Sequence, residues 1–364
     1  MKSCRVMLAM FGALCALAFT TVNLHSQDKA APGTVQVHMV ITDEAVHEDS
    51  EAPSLQPGDV NVKQGKTFLK VTQLIPARGD NAALQLFILI DDTLDSRIGT
   101  NLNDVRDFIN AQPASTVIGV GYMSNATVNI VQNFTADHAL AAKAVRLPLG
   151  TLSAMNSSYL SLISLVKSWP QQKVRREVLM VADGIDRLRG ETPSVSRLGP
   201  NFGTVYHSMP TMSPDVGSAS EICQRYNVVV YSLYATSVGR AARSSWDQQL
   251  GLSGLSKLSD ETGGDVFSLG ISNLVSFKPY LDRVQRYFDN QYYAVFQASP
   301  KKKPGLQRVN FITEVPNAEI VAADNVWVPA GNVTCQLVSQ DQVGRSLLIV
   351  KRLDESGTQR WSTT

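Results

Sequence analysis

The sequence predicts an α/β protein in which a doubly wound, mostly parallel sheet is flanked by antiparallel β segments. Two nearly unbroken apolar runs, 84–90 and 178–182, stop abruptly at Asp91 and Asp183. Apolar runs of this length, rich in β-forming residues, are typical of strands that are buried on both faces. Strand and helix patterns alternate over residues 81–290, and only strand patterns occur on either side, which favours one α/β domain between two β segments.

The amino-terminal residues have the pattern of a cleaved signal peptide over 1–26. Lys2 and Arg5 precede an apolar run at 7–22, and polar residues follow it. The alternative is a membrane anchor, but the run is short compared with the about 20 residues that a transmembrane helix needs. We therefore expect cleavage near Ser26 and a secreted or periplasmic protein with no membrane span after signal removal.

Composition limits the class of partner. The chain has 364 residues, enough for two domains and a sizeable core, and a formal charge of +1. A net charge this small supplies no field that would attract nucleic acid or an anionic membrane. Signal removal would leave Cys223 and Cys335, which are too few for a disulfide framework. The spacing of these two cysteines leaves open whether they are bridged.

The two β segments are each too small to be stable alone. The amino-terminal one includes a Gln64-Gly65 hairpin signal between strand patterns. Because neither segment has enough strands for an independent sheet, we expect 27–80 and 291–350 to form one shared antiparallel β-sandwich, followed by a polar tail at 351–364. The alternative is two separate β appendages on the α/β domain.

Helix patterns alternate with strands inside the α/β domain. Helical spacing is found in six places, at 102–109, 136–146 with Thr135 as cap, 159–166, 220–226, 245–262 with Gly263 as stop, and 274–288. Residues 126–134 alternate and predict an antiparallel edge strand. Residues 187–216 are rich in Gly, Pro, Ser and Met, which indicates a long insertion or a mobile lid at the ligand edge.

Polar residues follow the buried strands at the edge where open α/β sheets bind ligands. Asp91, Thr93 and Asp95 follow the first strand, Asp183 follows the second, and Asn156 and Ser157 lie on a loop between them. Oxygen ligands converging from separate loops suit Mg²⁺ or Ca²⁺. The alternative is that these aspartates only form turns and cap helices. Two buried strands that end in aspartate around a Ser/Thr loop favour a site.

The pattern Asp91-x-Thr93-x-Asp95, a later Gly/Ser/Thr loop and Asp183-Gly184 resembles the von Willebrand factor A (VWFA) domain and its metal-ion-dependent adhesion site (MIDAS). The turn at 260–264 is also similar to that family. The flanking segments resemble the VWFA-related secreted proteins of acidobacteria, in which a stretch like 55–65 precedes the domain. The resemblance implies a metal held by Asp91, Thr93, Asp95, Ser157 and Asp183, and a protein partner that offers an acidic side chain.

The sequence departs from the family pattern at two ligand positions. Asp95 replaces the second serine of the first loop, so its carboxylate would ligate the cation directly and take the place of a partner's carboxylate. The threonine of the second loop has no clear counterpart. We assign its place to Ser157, with Asn156 as the alternative.

Two stretches of the sequence resemble enzyme motifs. The stretch around Asp91 resembles the first motif of haloacid-dehalogenase-type phosphatases, but the alignment places Leu89 at the nucleophile, and leucine cannot form an aspartyl phosphate. Ser164 and Lys167 match Ser-x-x-Lys on a plain amphipathic helix with no partner motif. We therefore expect a secreted, non-enzymatic binding module. The alternative is a structural module with a vestigial metal site that interacts through its sandwich or residues 187–216, and a metal-dependent phosphatase is a distant third.

Overall fold

The computed structural model of the protein describes most of the chain after residue 33. The described residues are 34–45, 51–150, 155–170, 174–186, 195–197, 204–206, 212–238, 244–269, 272, 274–330, 334–340, 346–353 and 359–363. Only the backbone is described for 195–197, 204–206 and the ranges after 330. The predicted signal peptide and the side chain of Cys335 lie outside the described part of the chain.

The described residues form strands and helices in the following order. The strands are β1 (Val35–Ala45), β2 (Val60–Gln64), β3 (Thr67–Pro76), β4 (Leu84–Asp91), β5 (Thr116–Ser124), β6 (Thr127–Thr135), β7 (Arg175–Ala182), β8 (Val195–Arg197), β9 (Thr204–Tyr206), β10 (Val228–Tyr234), β11 (Val266–Phe267), β12 (Gln291–Ala298), β13 (Gly305–Thr313), β14 (Ala318–Ala322), β15 (Asn325–Val328), β16 (Thr334–Gln340), β17 (Ser346–Leu353) and β18 (Gln359–Thr363). The helices are α1 (Gly99–Ala111), α2 (His138–Ala144), α3 (Ser158–Ser168), α4 (Asp215–Tyr226), α5 (Ser245–Thr262) and α6 (Lys278–Asp289).

The α/β unit is built on a six-stranded sheet in the order β11-β10-β7-β4-β5-β6. Neighbouring strands are parallel except at β6, which is the antiparallel edge strand that the alternating pattern predicted. Every residue of β4, β7 and β10 is buried, which explains why their sequences are nearly continuous apolar runs.

Helices cover both faces of this sheet. On one face α1, α2 and α6 pack against β4 residues such as Leu86 and Ile88. On the other face α3, α4 and α5 pack against Phe87 and Leu89. Alternate residues of one strand therefore enter different cores, as the two-residue period of a strand requires. Cys223 of α4 is buried in the second core, and burial raises the pKa of its thiol.

Strands from both ends of the α/β unit form a seven-stranded antiparallel sheet in the order β14-β1-β12-β3-β2-β13-β15. Strand β12, which follows the α/β unit, lies between β1 and β3, which precede it. The predicted sandwich of two sheets is corrected to this single sheet. Because β14 contacts β13 near the opposite end, the sheet curls and closes one apolar face over its own core.

Side chains join the curled sheet to the α/β unit. Arg175, at the start of β7, donates to the carbonyl oxygen of Phe288 at 2.8 Å and to Gln291 Oε1 at 2.7 Å. Glu44 of β1 accepts from Arg283 Nη2 at 2.8 Å and from the Tyr287 hydroxyl at 2.9 Å. This junction lies at the amino edge of the parallel strands, away from the carboxyl edge where ligands were predicted.

Three local predictions differ from the structure. Asp137, rather than Thr135, caps α2, because its carboxylate accepts from Leu140 N. Helix α4 begins at Asp215, and the additional turn places Val216 in the core. The expected polar tail contains β18, which pairs with β17. A strand can form in this polar sequence because backbone hydrogen bonds, not side chains, connect the two strands.

The predicted insertion is described only in part. Strands β8 and β9 pair antiparallel within it, and most of 187–211 lies outside the described residues. Over the part of the chain that is described, no helix is long and apolar enough to cross a membrane.

Candidate metal site at the carboxyl edge of the sheet

Two neighbouring strands bring Asp91 and Asp183 to the same edge of the sheet. Strands β4 and β7 are parallel neighbours with Ile90 opposite Val181, so Asp91 ends one strand and Asp183 follows the other. Both aspartates are buried, with 0% and 1% of their surface exposed. The sequence argument predicted this juxtaposition, since parallel strands end at a common edge.

Asp91 is the centre of a cluster of neutral hydrogen-bond donors. Its Oδ1 accepts from the backbone N of Thr93 at 2.9 Å and from the Thr93 hydroxyl at 2.8 Å. Its Oδ2 accepts from the Ser158 hydroxyl at 3.4 Å. The Asn156 amide nitrogen lies 3.4 and 3.5 Å from the two carboxylate oxygens. The first and second loops therefore meet at this one buried carboxylate.

Asn156 leaves one polar atom unsatisfied within this cluster. The residue is fully buried, and no described group hydrogen-bonds its Oδ1. Buried polar oxygens rarely remain unpaired, because desolvation without a replacement partner costs about 1–3 kcal/mol. The amide oxygen is therefore available to a ligand at this edge.

Ser157 does not face the cluster in the way that the sequence suggested. Its hydroxyl accepts from Leu160 N at 3.2 Å and forms the N-cap of α3, a common use of serine immediately before a helix. Ser158 and Asn156, on either side of it, contact Asp91 instead. The Asn-Ser-Ser run indicated the right loop, but the choice among its three members depends on the backbone direction at the start of the helix.

Asp95 is bound by Arg97 and not by the groups that surround Asp91. Its carboxylate accepts from Arg97 N at 2.9 Å and from Arg97 Nη2 at 2.8 Å. These bonds hold the pKa of Asp95 below its ordinary value. We expected Asp95 to join Asp91 and Asp183, but its carboxylate forms an ion pair with Arg97 and caps a short 3₁₀ helix.

Asp92 has a structural role beside the cluster. Arg146 binds its carboxylate through two nitrogens at 2.7 and 2.9 Å and lies 3.8 Å from the centre of the Tyr122 ring. Leu149 N donates to the same carboxylate at 2.9 Å. Asp92 thus fixes the loop after α2 against the sheet edge. Sequence reasoning missed Arg146, because nothing local relates it to Asp92.

Asp183 is held by the loop that follows β10. Ile185 N donates to its Oδ1 at 2.9 Å, and the Ser237 hydroxyl donates to its Oδ2. The loop after β10 also contacts the loop after β4, since Val238 N donates to the Thr93 carbonyl oxygen at 2.9 Å. Ser237 therefore belongs to the site, although no spacing rule in the sequence singled it out.

The available oxygens fit a hard divalent cation. They are the carboxylates of Asp91 and Asp183, the hydroxyls of Thr93 and Ser158, and the amide oxygen of Asn156, all of the ligand type that Mg²⁺ and Ca²⁺ prefer. No group of three or more His, Cys, Asp or Glu side chains is placed to hold a metal in the described residues. A cation here would therefore rely on two carboxylates and several neutral oxygens.

The fold and this edge define an α/β module with a buried acidic cluster at the carboxyl end of its sheet. No known family description and no curated protein matches the sequence. The chain is similar in structure to von Willebrand factor type A from Catenulispora acidiphila, with 10% identity and a TM-score of 0.39 over 85% of this chain and 76% of that one.

Two further structures show the same degree of similarity. The SpRpn10 VWA domain is 10% identical with a TM-score of 0.35, over 55% of this chain and 95% of that one. An aerotolerance-related membrane protein from Bacteroides fragilis is 9% identical with a TM-score of 0.39, over 57% of this chain and 99% of that one. Identities and TM-scores this low leave the function to be inferred from the site itself.

Proposed function

We propose that the protein is a non-enzymatic interaction module that binds a divalent cation, Mg²⁺ or Ca²⁺, at Asp91 and Asp183 and engages a partner protein at that edge. The observation that carries this proposal is the buried Asp91 carboxylate, around which neutral oxygen-bearing side chains from two loops converge. When bound, the cation would supply a positive centre for an acidic side chain of the partner. Thr93, Ser158 and Asn156 would orient Asp91 toward it.

The position of Asp95 supports capture of an acidic partner. A carboxylate in the second serine position would compete with the partner for the cation. In this chain Arg97 holds that carboxylate through two hydrogen bonds, which would lessen the competition.

Exposed apolar side chains surround the same edge. Leu149 lies beside Asp92 and is 64% exposed, and Met155 precedes Asn156 and is 45% exposed. Trp246, in the first turn of α5, is 53% exposed. Exposed large side chains, tryptophan in particular, often supply much of the binding energy at protein interfaces.

Two other functions remain as alternatives. The first is a structural module with a vestigial metal site, which would interact through its curled sheet or through residues 187–216. The second is a metal-dependent phosphatase. Leu89, which occupies the nucleophile position in that alignment, is fully buried in the core, and this disfavours the second alternative.

Export is part of the proposal. The charged and apolar start of the sequence supports a cleaved signal peptide, which would place the protein outside the cytoplasm. Intact-mass measurement of the exported protein tests this. A mature protein that retains residues 7–22 would overturn it.

Thermal and chemical denaturation in the presence of Mg²⁺, Ca²⁺ or a chelator tests the metal site. A cation at about 100 times its Kd should add about 2.7 kcal/mol to the free energy of unfolding, because the unfolded chain scatters the ligands. Asp91→Asn should lose this gain, and Asp95→Ser, the matched control in the same loop, should retain it. Circular dichroism verifies that both variants fold. If the wild type melts identically with metal and chelator, the structural alternative replaces this proposal.

A further inference from the structure

Two hairpin connections at one end of the curled sheet carry a cluster of lysines. The hairpin of β2 and β3 holds Lys63 and Lys66 at its turn, and the connection between β12 and β13 holds three consecutive lysines at 301–303. All five side chains are exposed. We call this surface, formed by residues 63–68 and 299–304, the basic tip.

Gln64 holds the two connections of the basic tip together. Its Nε2 donates to the Ser299 carbonyl oxygen at 3.2 Å, and Ser299 N donates back to Gln64 Oε1 at 2.9 Å. The same Nε2 donates to Gln307 Oε1 of β13 at 2.9 Å. Gln64 and Ser299 are 235 residues apart in the sequence. The two groups of lysines therefore become neighbours only when the curled sheet forms.

The basic tip lies at the end of the curled sheet that is far from the α/β unit. Strand β3 ends at Pro76 and leads into β4, and β12 begins at Gln291 directly after α6. The α/β unit therefore joins the sheet at these ends of β3 and β12, and the basic tip is formed at their other ends. The basic tip and the Asp91 cluster are thus on opposite sides of the junction between the two units.

The positive charge of the basic tip has no acidic residue close to it in sequence. Residues 60–76 and 291–313 contain lysine and arginine but neither aspartate nor glutamate. Among the described residues, no acidic side chain forms a salt bridge with Lys63, Lys66, Lys301 or Lys303. The net charge of +1 predicted no attraction to an anionic membrane, but it describes the whole chain. Lysines clustered at one end produce a local positive potential regardless of that sum.

Phe68 adds an exposed aromatic ring to the basic tip. It lies opposite Lys63 in the ladder between β2 and β3, and 64% of its surface is exposed. Lys63 Nζ is 5.8 Å from the centre of the ring. Because side chains alternate along a strand, both residues project from the face opposite to Val62 and Leu69, which pack in the core of the curled sheet. The basic tip therefore combines positive charge with an apolar ring that is open to solvent.

The amino-terminal end of the described chain lies at the same end of the sheet. Val35, the first residue of β1, pairs with Ala298, which directly precedes the second connection of the basic tip. Residues 23–33 separate β1 and Thr34 from the apolar run at 7–22, and they span at most about 40 Å when fully extended. During the export proposed above, the basic tip is therefore held within about this distance of a membrane for as long as the run is attached.

We propose that the basic tip binds the surface of a lipid bilayer that contains anionic phospholipid. The lysines attract the headgroup phosphates, and Phe68 enters the boundary between the headgroups and the acyl chains. Nucleic acid offers phosphates as well, but the exposed ring and the apolar run that precedes β1 favour lipid. The proposal goes beyond the binding of a cation and a partner protein at Asp91 and does not depend on it.

Sedimentation with lipid vesicles tests the proposal on the predicted mature chain, which lacks residues 1–26. This chain should bind vesicles that contain about one third phosphatidylglycerol but not vesicles of phosphatidylcholine alone, and added salt should weaken the binding. The combined variant Lys301→Gln, Lys302→Gln and Lys303→Gln should bind about 100-fold more weakly, because each lysine near an anionic surface contributes a factor of about five. Phe68→Ser should also bind more weakly but should retain the salt dependence.

The matched control replaces three exposed lysines on α2, α3 and α5 and so removes the same charge: Lys143→Gln, Lys167→Gln and Lys257→Gln. It should bind like the wild type. Equal binding to both kinds of vesicle, binding to neither, or unchanged binding in the variant at 301–303 would overturn the proposal.

A DNA duplex at the same phosphate concentration distinguishes the two polyanions. Anionic vesicles should bind more tightly than the duplex, because only lipid can accept the ring of Phe68 among acyl chains. Tighter binding of the duplex would overturn the proposal in favour of a nucleic-acid surface. Neither result bears on the cation at Asp91, whose effect on denaturation is measured separately.

Discussion

Ser157 and Ser158 are adjacent in sequence but differ in what they hold together. Ser157 caps α3 through Leu160 N, and Ser158 donates to Asp91. The sequence could indicate that this loop reaches the sheet edge, because a small polar run precedes an amphipathic helix. It could not distinguish the two residues, because one step along the backbone at a helix start rotates the side chain by about 100°.

We therefore expect different effects when each of the two serines is replaced by alanine. Ser157→Ala should lower the free energy of unfolding by about 1 kcal/mol, the usual effect of losing an N-cap, and should leave the stabilisation by metal unchanged. Ser158→Ala should reduce that stabilisation. Urea unfolding with and without Mg²⁺ separates the two effects. Loss of the metal response in Ser157→Ala alone would show that Ser157 is the ligand after all.

Glu177 makes stability depend on pH. It is fully buried on β7, and burial raises its pKa to about 7, although Arg175 acts in the opposite direction. Its unfolded pKa is about 4.3, so the folded state binds the extra proton between these values. The contribution of Glu177 to the free energy of unfolding should therefore be greatest below about pH 4.3, fall by up to about 4 kcal/mol as pH rises through about 7, and then level off.

Glu177→Gln should flatten this dependence. Burial also raises the pKa of Asp43, so this residue should likewise lower the free energy of unfolding as pH rises. Part of the pH dependence of stability should therefore remain in Glu177→Gln. Glu314→Gln, at an exposed position of the curled-sheet region, serves as control and should retain the wild-type slope. Urea unfolding across this pH range gives the measurement. A Glu177→Gln slope equal to that of the wild type would mean that Glu177 is ionised in the folded protein at acidic pH.

At the scale of elements, α5 approaches the Asp183 loop through glycine. A side chain at Gly251 would collide with the Asp183 carbonyl oxygen, and Gly184 has a φ of +69° at the same contact. The backbone can come this close only because neither residue has a Cβ atom. The position of Asp183 at the sheet edge thus depends on a helix that contributes no ligand.

Gly251→Ala should therefore be destabilising. The added methyl group must push α5 and the Asp183 loop apart, at about 1–3 kcal/mol, and should weaken any metal response as well. Gly217→Ala in α4, where a Cβ would meet nothing within 4 Å, is the control and should be neutral or stabilising. Thermal melting with and without Mg²⁺ compares the two. Equal stability of the two variants would argue against tight packing at Gly251.

Most helices and strands could be predicted because their signals are local. Helix α5 ends at Thr262, as Gly263 indicated, and β2 and β3 meet at Gly65. The start of α4 was placed too late, because the Gly-, Ser- and Pro-rich residues before it gave no period. The Asp95–Arg97 pair was missed for a different reason, since the direction of a carboxylate depends on backbone angles that composition does not specify.

At the scale of the whole molecule, the curled sheet joins distant parts of the chain. Burial arguments predicted that the two flanks need each other, but local sequence could not specify that β12 would lie between β1 and β3. Such pairings join residues that are far apart in the sequence, so no local pattern specifies them. The number of sheets was therefore beyond what the sequence alone could determine.

Deletion of residues 291–364 should disrupt the amino-terminal strands. Without β12, neither β1 nor β3 retains its central neighbour, so 34–75 should become sensitive to protease while 82–290 remains compact. Limited proteolysis with mass spectrometry locates the cleavage sites. Deletion of 331–364, which spares the whole seven-stranded sheet, is the control. Continued protection of 34–75 in the longer deletion would mean that these strands fold without β12.

The position of β12 has a consequence for the order of events during synthesis. Strands β1 to β3 leave the ribosome before the α/β unit, yet the strand that fills the gap between them follows that entire unit. Until it arrives, two strand edges remain unpaired, and unpaired edges are templates for association between chains. Contacts so distant in sequence also form slowly. A nascent chain of this protein therefore carries these unpaired strand edges throughout the synthesis of the α/β unit.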